Sequence, residues 1–293
     1  MKFDEKTIRK LTRLTLVAGQ VRAGVLKGER RSTKRGSSLE FADYRSYSPG
    51  DDLRRIDWNA YARLDRPFLK LFEEEEDLAV HVLVDTSRSM DWGPDEHNKF
   101  QYALKLAAAL GAIALSSGDR LTASGLHAGG IGPQFGPARG QLSTLSLLRF
   151  LESQHPGGET DLYKSLREYA LAARRPGLVF LISDLFSQSD ALAGLALLQS
   201  RGYEVALLHL LAPDEIDPPF AGDLRLVDAE TGQAQDVSLD GGLRNLYQSR
   251  LQAWRDETGA ACRKRGIRYL ELSTAQPWER VILQEMRQAD LVR

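Results

Sequence analysis

From residue 78 to the C-terminus, short apolar runs alternate with longer segments in which apolar residues recur at three- and four-residue intervals. The short runs predict buried strands and the longer segments predict helices. Because strands that alternate with helices form βαβ units, we expect an α/β fold with a doubly wound, mostly parallel sheet of the Rossmann type. The predicted strands are 78–84, 120–126, 178–183, 203–211 and 267–272, the predicted helices are 99–116, 141–153, 161–174, 189–200, 242–265 and 278–288, and a hairpin is predicted at 224–228 and 235–239.

The pattern before residue 78 is different. Apolar residues at helical spacing predict an amphipathic helix over residues 4–27, namely Ile8, Leu11, Leu14, Val17, Ala18, Val21 and Val25. The helix either packs on its own domain or serves as a docking arm for an acidic partner. Residues 36–77 have two candidate strands, 38–42 and 67–73, around the turn-rich segment Asp43–Arg63, which is either a recognition surface or a region of local ion pairs. We therefore divide the chain into a basic arm (1–35), an irregular module (36–77) and an α/β domain (78–293).

Composition narrows the functional classes. The 293 residues include 39 Lys and Arg and 40 Asp and Glu, so the chain as a whole has no basic character that would favour nucleic acid. Cys262 is the only cysteine, which excludes an intrachain disulfide and a cysteine-based zinc site. The sequence shows neither a signal-peptide core nor an apolar run long enough for a bilayer. We expect a cytoplasmic protein without a transmembrane segment.

Candidate chemistry follows two predicted strands and one loop. Asp85, Ser87 and Ser89 come directly after the strand 78–84, Thr160 lies in a loop before a helix, and Asp184 follows the strand 178–183. In parallel sheets, binding residues gather beyond the carboxyl ends of the strands. Carboxylate and hydroxyl oxygens are ligands for hard cations, so the sequence predicts a site for Mg²⁺, Mn²⁺ or Ca²⁺.

These residues resemble a known pattern. D-x-S-x-S, a loop threonine and a strand-end aspartate are similar to the metal-ion-dependent adhesion site (MIDAS) of von Willebrand factor type A (VWA) domains. The stretch from EFADYRSYSPGDDLRRIDWNAYAR to VDTSRSM resembles the bacterial domain-of-unknown-function family 58, whose members carry such a domain and whose genes often neighbour MoxR-type AAA+ ATPases. The resemblance implies that Ser87, Ser89 and Thr160 bind the ion through hydroxyls, and that Asp85 and Asp184 hold it directly or through water.

The resemblance also implies a function without catalysis. In the family, an acidic side chain of a protein partner completes the ion's coordination, so we expect a metal-dependent protein-binding adaptor that works with a MoxR-type ATPase on a client. An alternative is a scaffold with a purely structural metal site that binds its partner through the basic N-terminal helix. A phosphotransferase of the haloacid dehalogenase type requires a second Asp two residues after the first, and that position is Ser87.

The remaining candidate residues have structural interpretations. His81 and His209 lie inside predicted strands and are expected to be buried and neutral, and Cys262 is expected to pack in the core. Asp161 either assists the metal or caps the helix that follows it. The glycine-rich segment AGGIGPQFG is expected to form a flexible turn.

Overall fold

The computed structural model describes residues 5–19, 40–48, 51, 53, 56–73, 77–94, 97–127, 129–172, 175–219, 222–228, 232–239 and 241–293. Contacts divide the chain into two compact units. One comprises Met1–Leu26 and Leu78–Arg293, and the other comprises Lys27–Asp77.

The larger unit is built on a six-stranded sheet. Its strands are β3 (Ala79–Asp85), β4 (Arg120–His127), β5 (Gly130–Ala138), β6 (Leu178–Ser183), β7 (Glu204–Leu211) and β10 (Arg268–Ser273), in the order β10-β7-β6-β3-β4-β5. All neighbouring strands are parallel except β4 and β5, which pair antiparallel. The predicted doubly wound, mostly parallel α/β fold is therefore confirmed. A separate antiparallel hairpin consists of β8 (Gly222–Val227) and β9 (Ala234–Leu239).

Helices cover both faces of this sheet. They are α1 (Glu5–Leu11), α3 (Lys99–Ser116), α4 (Thr144–Glu152), α5 (Leu162–Ala172), α6 (Ala191–Ser200), α7 (Pro213–Ile216), α8 (Gly241–Lys264), α9 (Trp278–Arg280) and α10 (Met286–Gln288), with a π-helical turn, Val281–Glu285, joining the last two. None of the helices in the described part of the chain combines the length and apolar character that a bilayer crossing requires.

Alternation along the central strands produces two cores. Val82 and Val84 of β3 point into the core covered by α3, α4 and the C-terminal helices, whereas Leu83 points into the core covered by α5, α6 and α8. Every residue of β3 and β6 is buried, which explains why both read as continuous apolar runs.

The N-terminal helix is shorter than predicted. The sequence predicts a helix over 4–27, but α1 ends at Leu11, and Leu14 and Leu16 are buried in the core next to α3. Thr15 and Arg293 exchange two backbone hydrogen bonds of 3.0 Å, so the last residues of the chain replace the hydrogen bonds that a continuing helix would make. The rest of the predicted helix, residues 20–27, lies outside the described residues, as does the remainder of the basic arm up to residue 35.

The expected turn at AGGIGPQFG was wrong, because most of it forms the edge strand β5 (Gly130–Ala138). Two register shifts in the β4–β5 ladder accommodate the irregular segment. Pro133 and Pro137 are tolerated because an edge strand has one side without ladder bonds.

The smaller unit contains β1 (Glu40–Ser46), α2 (Trp58–Leu64) and β2 (Phe68–Glu73). The two strands pair antiparallel, and β1 ends four residues later than predicted, while residues 38 and 39 of the predicted strand lie outside the described residues. Asp57 caps α2, because its Oδ1 accepts hydrogen bonds from the backbone amides of Asn59 and Ala60.

Candidate functional site

The chain order of the sheet creates a switch point between β3 and β6. After β3 the chain continues to β4 on one side, and it returns later to place β6 on the other side, with Val84 opposite Ile182. Ligands of open α/β sheets bind at such points, beyond the carboxyl ends of the strands. Asp85 is the last residue of β3, and Ser183 and Asp184 stand at the corresponding end of β6.

Asp85 is buried and firmly oriented. One carboxylate oxygen, Oδ2, accepts a 2.6 Å hydrogen bond from the Ser183 hydroxyl. The other, Oδ1, accepts bonds from the Ser87 amide (2.9 Å) and the Thr160 hydroxyl (3.3 Å). Burial, and then the negative charge of Asp184, raises the pKa of Asp85 to about 6. A cation near these two carboxylates would relieve that unfavourable charge.

The hydroxyl-bearing residues meet on the same side of Asp85. The Ser87 and Ser89 hydroxyl oxygens are 2.9 Å apart. The Thr160 loop is tied to the β3 loop by two backbone hydrogen bonds, from Gly157 to the Thr86 carbonyl (2.8 Å) and from Arg88 to the Gly158 carbonyl (3.1 Å). These bonds explain how a threonine 75 residues further along the chain reaches Asp85.

Asp184 is also buried, and its two oxygens have different partners. Oδ1 accepts a 3.0 Å bond from the Phe186 amide, and Oδ2 accepts a 2.6 Å bond from the ammonium of Lys99. The same ammonium donates a 2.6 Å bond to Oε1 of Glu215. The Lys99 side chain is completely buried, so it is a permanent part of this edge of the sheet.

The sequence analysis missed Lys99 and Glu215. Lys99 is the first residue of α3, where the helix dipole disfavours a positive charge, and the segment that follows is almost entirely apolar. Those two signals together predict a lysine that needs an acidic partner, although they do not say which one. The partners lie 85 and 116 residues away in sequence.

The residues present fit a hard cation. Oxygen donors are provided by two carboxylates and three hydroxyls, namely Asp85, Asp184, Ser87, Ser89 and Thr160. Among the described residues no three His, Cys, Asp or Glu side chains are grouped as a metal site. The hydroxyls would therefore have to take part, and such a donor set favours Mg²⁺, Mn²⁺ or Ca²⁺ over zinc or copper.

An aromatic side chain lies beside Lys99, and two others are exposed on segments that adjoin the site. The Phe186 ring is 39% exposed, its centroid lies 5.0 Å from the Lys99 nitrogen, and it stacks on Trp254 of α8 at 5.6 Å. Trp92 in the loop before α3 and Tyr163 in the first turn of α5 are also partly exposed. Partly exposed aromatic residues are enriched in protein-binding surfaces.

The remaining candidate residues have structural roles. The His81 ring bonds to the Tyr169 hydroxyl (2.7 Å) and the Arg175 carbonyl (3.1 Å), and burial lowers its pKa to about 4. Burial likewise lowers the pKa of His209 to about 4 and raises the pKa of the Cys262 thiol to about 11. Asp161 caps α5 by accepting a 3.0 Å bond from the Lys164 amide, as the capping alternative predicts.

Comparison with solved structures gives distant similarities. The structure of conserved hypothetical protein BatB from Bacteroides thetaiotaomicron aligns with 72% of this chain and 98% of its own, at 15% identity and a TM-score of 0.41. An aerotolerance-related membrane protein from Bacteroides fragilis aligns with 72% of this chain and 99% of its own, at 17% identity and a TM-score of 0.42.

Sequence comparison gives closer relatives. Protein Rv1480 of Mycobacterium tuberculosis H37Rv is 31% identical over 279 residues, which cover 94% of this chain and 87% of the relative. Protein MAV169 of Mycobacterium avium is 30% identical over 122 residues, covering 42% of this chain and 72% of the relative. The family model described as "Protein of unknown function DUF58" matches residues 43–257. Because this match covers most of the chain, the protein belongs to the DUF58 family.

Proposed function

We propose that this protein is a metal-dependent protein-binding module without enzymatic activity. The observation that carries the proposal is the convergence of Asp85 with the Thr160 hydroxyl and the Ser87 loop at the switch point of the sheet. Ser89 is within hydrogen-bond distance of Ser87, and Asp184 lies close enough to raise the pKa of Asp85. Five oxygen-bearing side chains from three separate segments thus lie at one edge.

The chain's own residues prepare this edge for a cation. Ser183 and the Ser87 amide fix the orientation of the Asp85 carboxylate, and the backbone bonds between the two loops hold Thr160 in place. Ser87, Ser89 and Thr160 would hold the ion through their hydroxyls. Asp85 and Asp184 would bind it directly or through water. A bound Mg²⁺ would supply an electrophilic centre that accepts a carboxylate oxygen from a partner protein.

The arrangement favours binding over catalysis. A phosphotransferase of the haloacid dehalogenase type needs an Asp two residues after Asp85, and that position is Ser87. An alcohol is a poor proton donor for phosphoryl transfer. His209, which contacts the backbone carbonyl of Asp184, has its ring nitrogens engaged by that carbonyl and by the Tyr269 hydroxyl. A buried imidazole with a lowered pKa and two engaged nitrogens is poorly placed to act as a general base.

We infer from this chemistry that the partner offers an exposed Asp or Glu. The partly exposed rings of Phe186, Trp92 and Tyr163 would add apolar contacts around the charged centre. The resemblance described above makes a MoxR-type AAA+ ATPase, or a client that it remodels, the first partner to examine. In this proposal the protein acts as an adaptor in assembly or maturation of that client.

Thermal unfolding tests the cation site. Metal-stripped wild type is compared with Asp85→Ala, each with and without Mg²⁺ or Mn²⁺. A ligand at about one hundred times its Kd stabilises the folded state by roughly 2.7 kcal/mol, which corresponds to a rise in Tm of about 5 °C for a protein of this size. We expect that rise in wild type and its loss in Asp85→Ala. Equal melting curves with and without metal at millimolar concentration would contradict the proposal.

Partner binding is tested separately with a purified MoxR-type ATPase in a pull-down with Mg²⁺ or with EDTA. Under the alternative, in which the metal is purely structural and binding uses the basic N-terminal helix, capture would persist in EDTA and in Asp85→Ala. Deleting residues 1–35 is a poor test of that alternative, because Leu14 and Leu16 belong to the core. Replacing the exposed Arg9, Lys10 and Arg13 by Ser preserves those packing residues and removes three of the segment's positive charges.

A further inference from the structure

Lys99 is the most unusual side chain at this edge of the sheet. Its ammonium is completely buried and lies 2.6 Å from carboxylate oxygens of both Asp184 and Glu215. A buried ion pair on its own is weak evidence for a role in stability, because apolar residues that replace both partners together often serve as well. A lysine in contact with a candidate metal ligand therefore calls for a functional explanation.

Glu215 lies on α7, an element that carries none of the candidate ligands. Its Oε1 faces Lys99, and its Oε2 accepts a 2.8 Å bond from the Ala212 amide at the start of α7. The Tyr247 hydroxyl donates to the Glu215 carbonyl, which ties α7 to α8. Glu215 is thus a second carboxylate partner for the ammonium, in addition to Asp184.

The charges can be counted. Asp85, Asp184 and Glu215 contribute three negative charges when ionised, and Lys99 contributes one positive charge. A divalent cation would bring this group to neutrality, and a neutral site accepts a further carboxylate more readily than an anionic one. Without Lys99 the loaded site would keep a net negative charge, which would repel an acidic partner.

We propose that Lys99 sets the affinity of this site for divalent cations by neutralising Asp184, and thereby keeps the loaded site receptive to an acidic ligand. The inference rests on the proposed metal-binding function and adds a residue that the MIDAS resemblance does not include. Lys99 competes with the cation for Asp184, and Glu215 offers the ammonium another partner when the cation binds. Removing Lys99 should strengthen cation binding, whereas removing Glu215 should weaken it.

The test is Mn²⁺ binding to the full-length protein, measured by electron paramagnetic resonance of free Mn²⁺ and by titration calorimetry. The variants are Lys99→Met, Glu215→Gln and the double variant. A unit charge a few ångströms from a divalent cation changes affinity by about tenfold or more at an effective dielectric constant of about 20. We expect Lys99→Met to bind at least about tenfold more tightly than wild type, Glu215→Gln to bind more weakly, and the double variant to bind more tightly than Glu215→Gln.

Two matched controls remove nearby charges of the same sign. One is Lys105→Met, because Lys105 lies on the same helix as Lys99. The other is Asp214→Asn, because Asp214 is next to Glu215 in the sequence. Both should bind Mn²⁺ within about twofold of wild type, since neither residue contacts a candidate ligand. If Lys99→Met does not fold, the double variant and Glu215→Gln still give the comparison, because the double variant leaves no unpaired Glu215 carboxylate.

The outcomes separate this inference from the function on which it rests. Wild type that binds Mn²⁺ with the same affinity as all the variants would refute the role of Lys99 and leave the metal site intact. Binding that is detectable only without Lys99 would support the inference directly. If neither wild type nor any Lys99 variant binds Mn²⁺ at millimolar concentration, the metal site and the inference are both wrong.

Discussion

Replacing Lys99 by Met should be among the most destabilising single substitutions in the described part of the protein. The substitution preserves most of the apolar stem and removes the ammonium that both Asp184 and Glu215 contact at 2.6 Å. Side-chain exposures are 0% for Lys99, 1% for Asp184 and 13% for Glu215, so solvent can do little to stabilise the carboxylates that are left. Loss of one partner from a buried ion pair costs about 3–5 kcal/mol.

The measurement is urea unfolding followed by tryptophan fluorescence, performed in EDTA so that no divalent cation can replace the lost ammonium. We expect the free energy of unfolding of Lys99→Met to fall by about 3–5 kcal/mol at neutral pH. The double variant Lys99→Met, Glu215→Gln should lose less than the sum of the two single losses, with a coupling of at least about 1 kcal/mol. Lys105→Met, on the same helix, is the control and should change stability by under about 1 kcal/mol.

The reasoning fails if Lys99→Met costs less than about 1 kcal/mol while the slope of the urea transition stays unchanged. That result would mean that water reaches the carboxylates, or that the ammonium and the carboxylates do not depend on each other. If the loss in the double variant equals the sum of the two single losses, the ammonium and the Glu215 carboxylate do not depend on each other.

Three further predictions concern residues away from the candidate site. Burial lowers the pKa of His81 from 6.5 to about 4 in the folded state, so its contribution to stability is fully present above pH 6.5 and is lost as the pH falls towards 4. The loss is about 3 kcal/mol, and His81→Gln should reduce the difference in unfolding free energy between pH 7 and pH 4 by that amount. A Cβ at Gly111 would lie 2.4 Å from the Leu147 side chain, so Gly111→Ala should destabilise by about 1–2 kcal/mol in urea unfolding, whereas Gly241→Ala, which has open space, should not destabilise. The buried Cys262, with a pKa raised to about 11, should react with iodoacetamide only after unfolding, and rapid labelling of the native protein would show that the thiol is accessible.

The sequence predicts the α/β domain well because its signals are local. The central strands β3, β6 and β7 are mostly apolar, and the bounds of α3 and β6 agree with the prediction at both ends. Asp85 and Asp184 could be identified because both come directly after such strands. Their placement at one edge then follows from the parallel topology, which fixes where the carboxyl ends of the strands lie.

The features that the sequence did not reveal depend on partners far along the chain. Helix α1 ends early because Thr15 pairs with Arg293, and periodicity near residue 15 contains no information about the other end of the protein. The strand β5 forms from a glycine-rich segment because β4 offers it a ladder of hydrogen bonds. In the same way, the pairing of Lys99 with Asp184 and Glu215 joins three segments that no local pattern connects.

The two carboxylates of the candidate site differ in the groups that hold them. Asp85 is fixed by the Ser183 hydroxyl and the Ser87 amide, which would remain in place whether or not a cation is present. Asp184 is held on one oxygen by a backbone amide and on the other by Lys99, which has a second carboxylate within reach. In the proposed exchange a cation would take the Asp184 oxygen from the ammonium, and Glu215 would keep that ammonium paired. The Glu215 carboxylate that would take over the ammonium is itself fixed at the start of α7, because its second oxygen accepts the Ala212 amide.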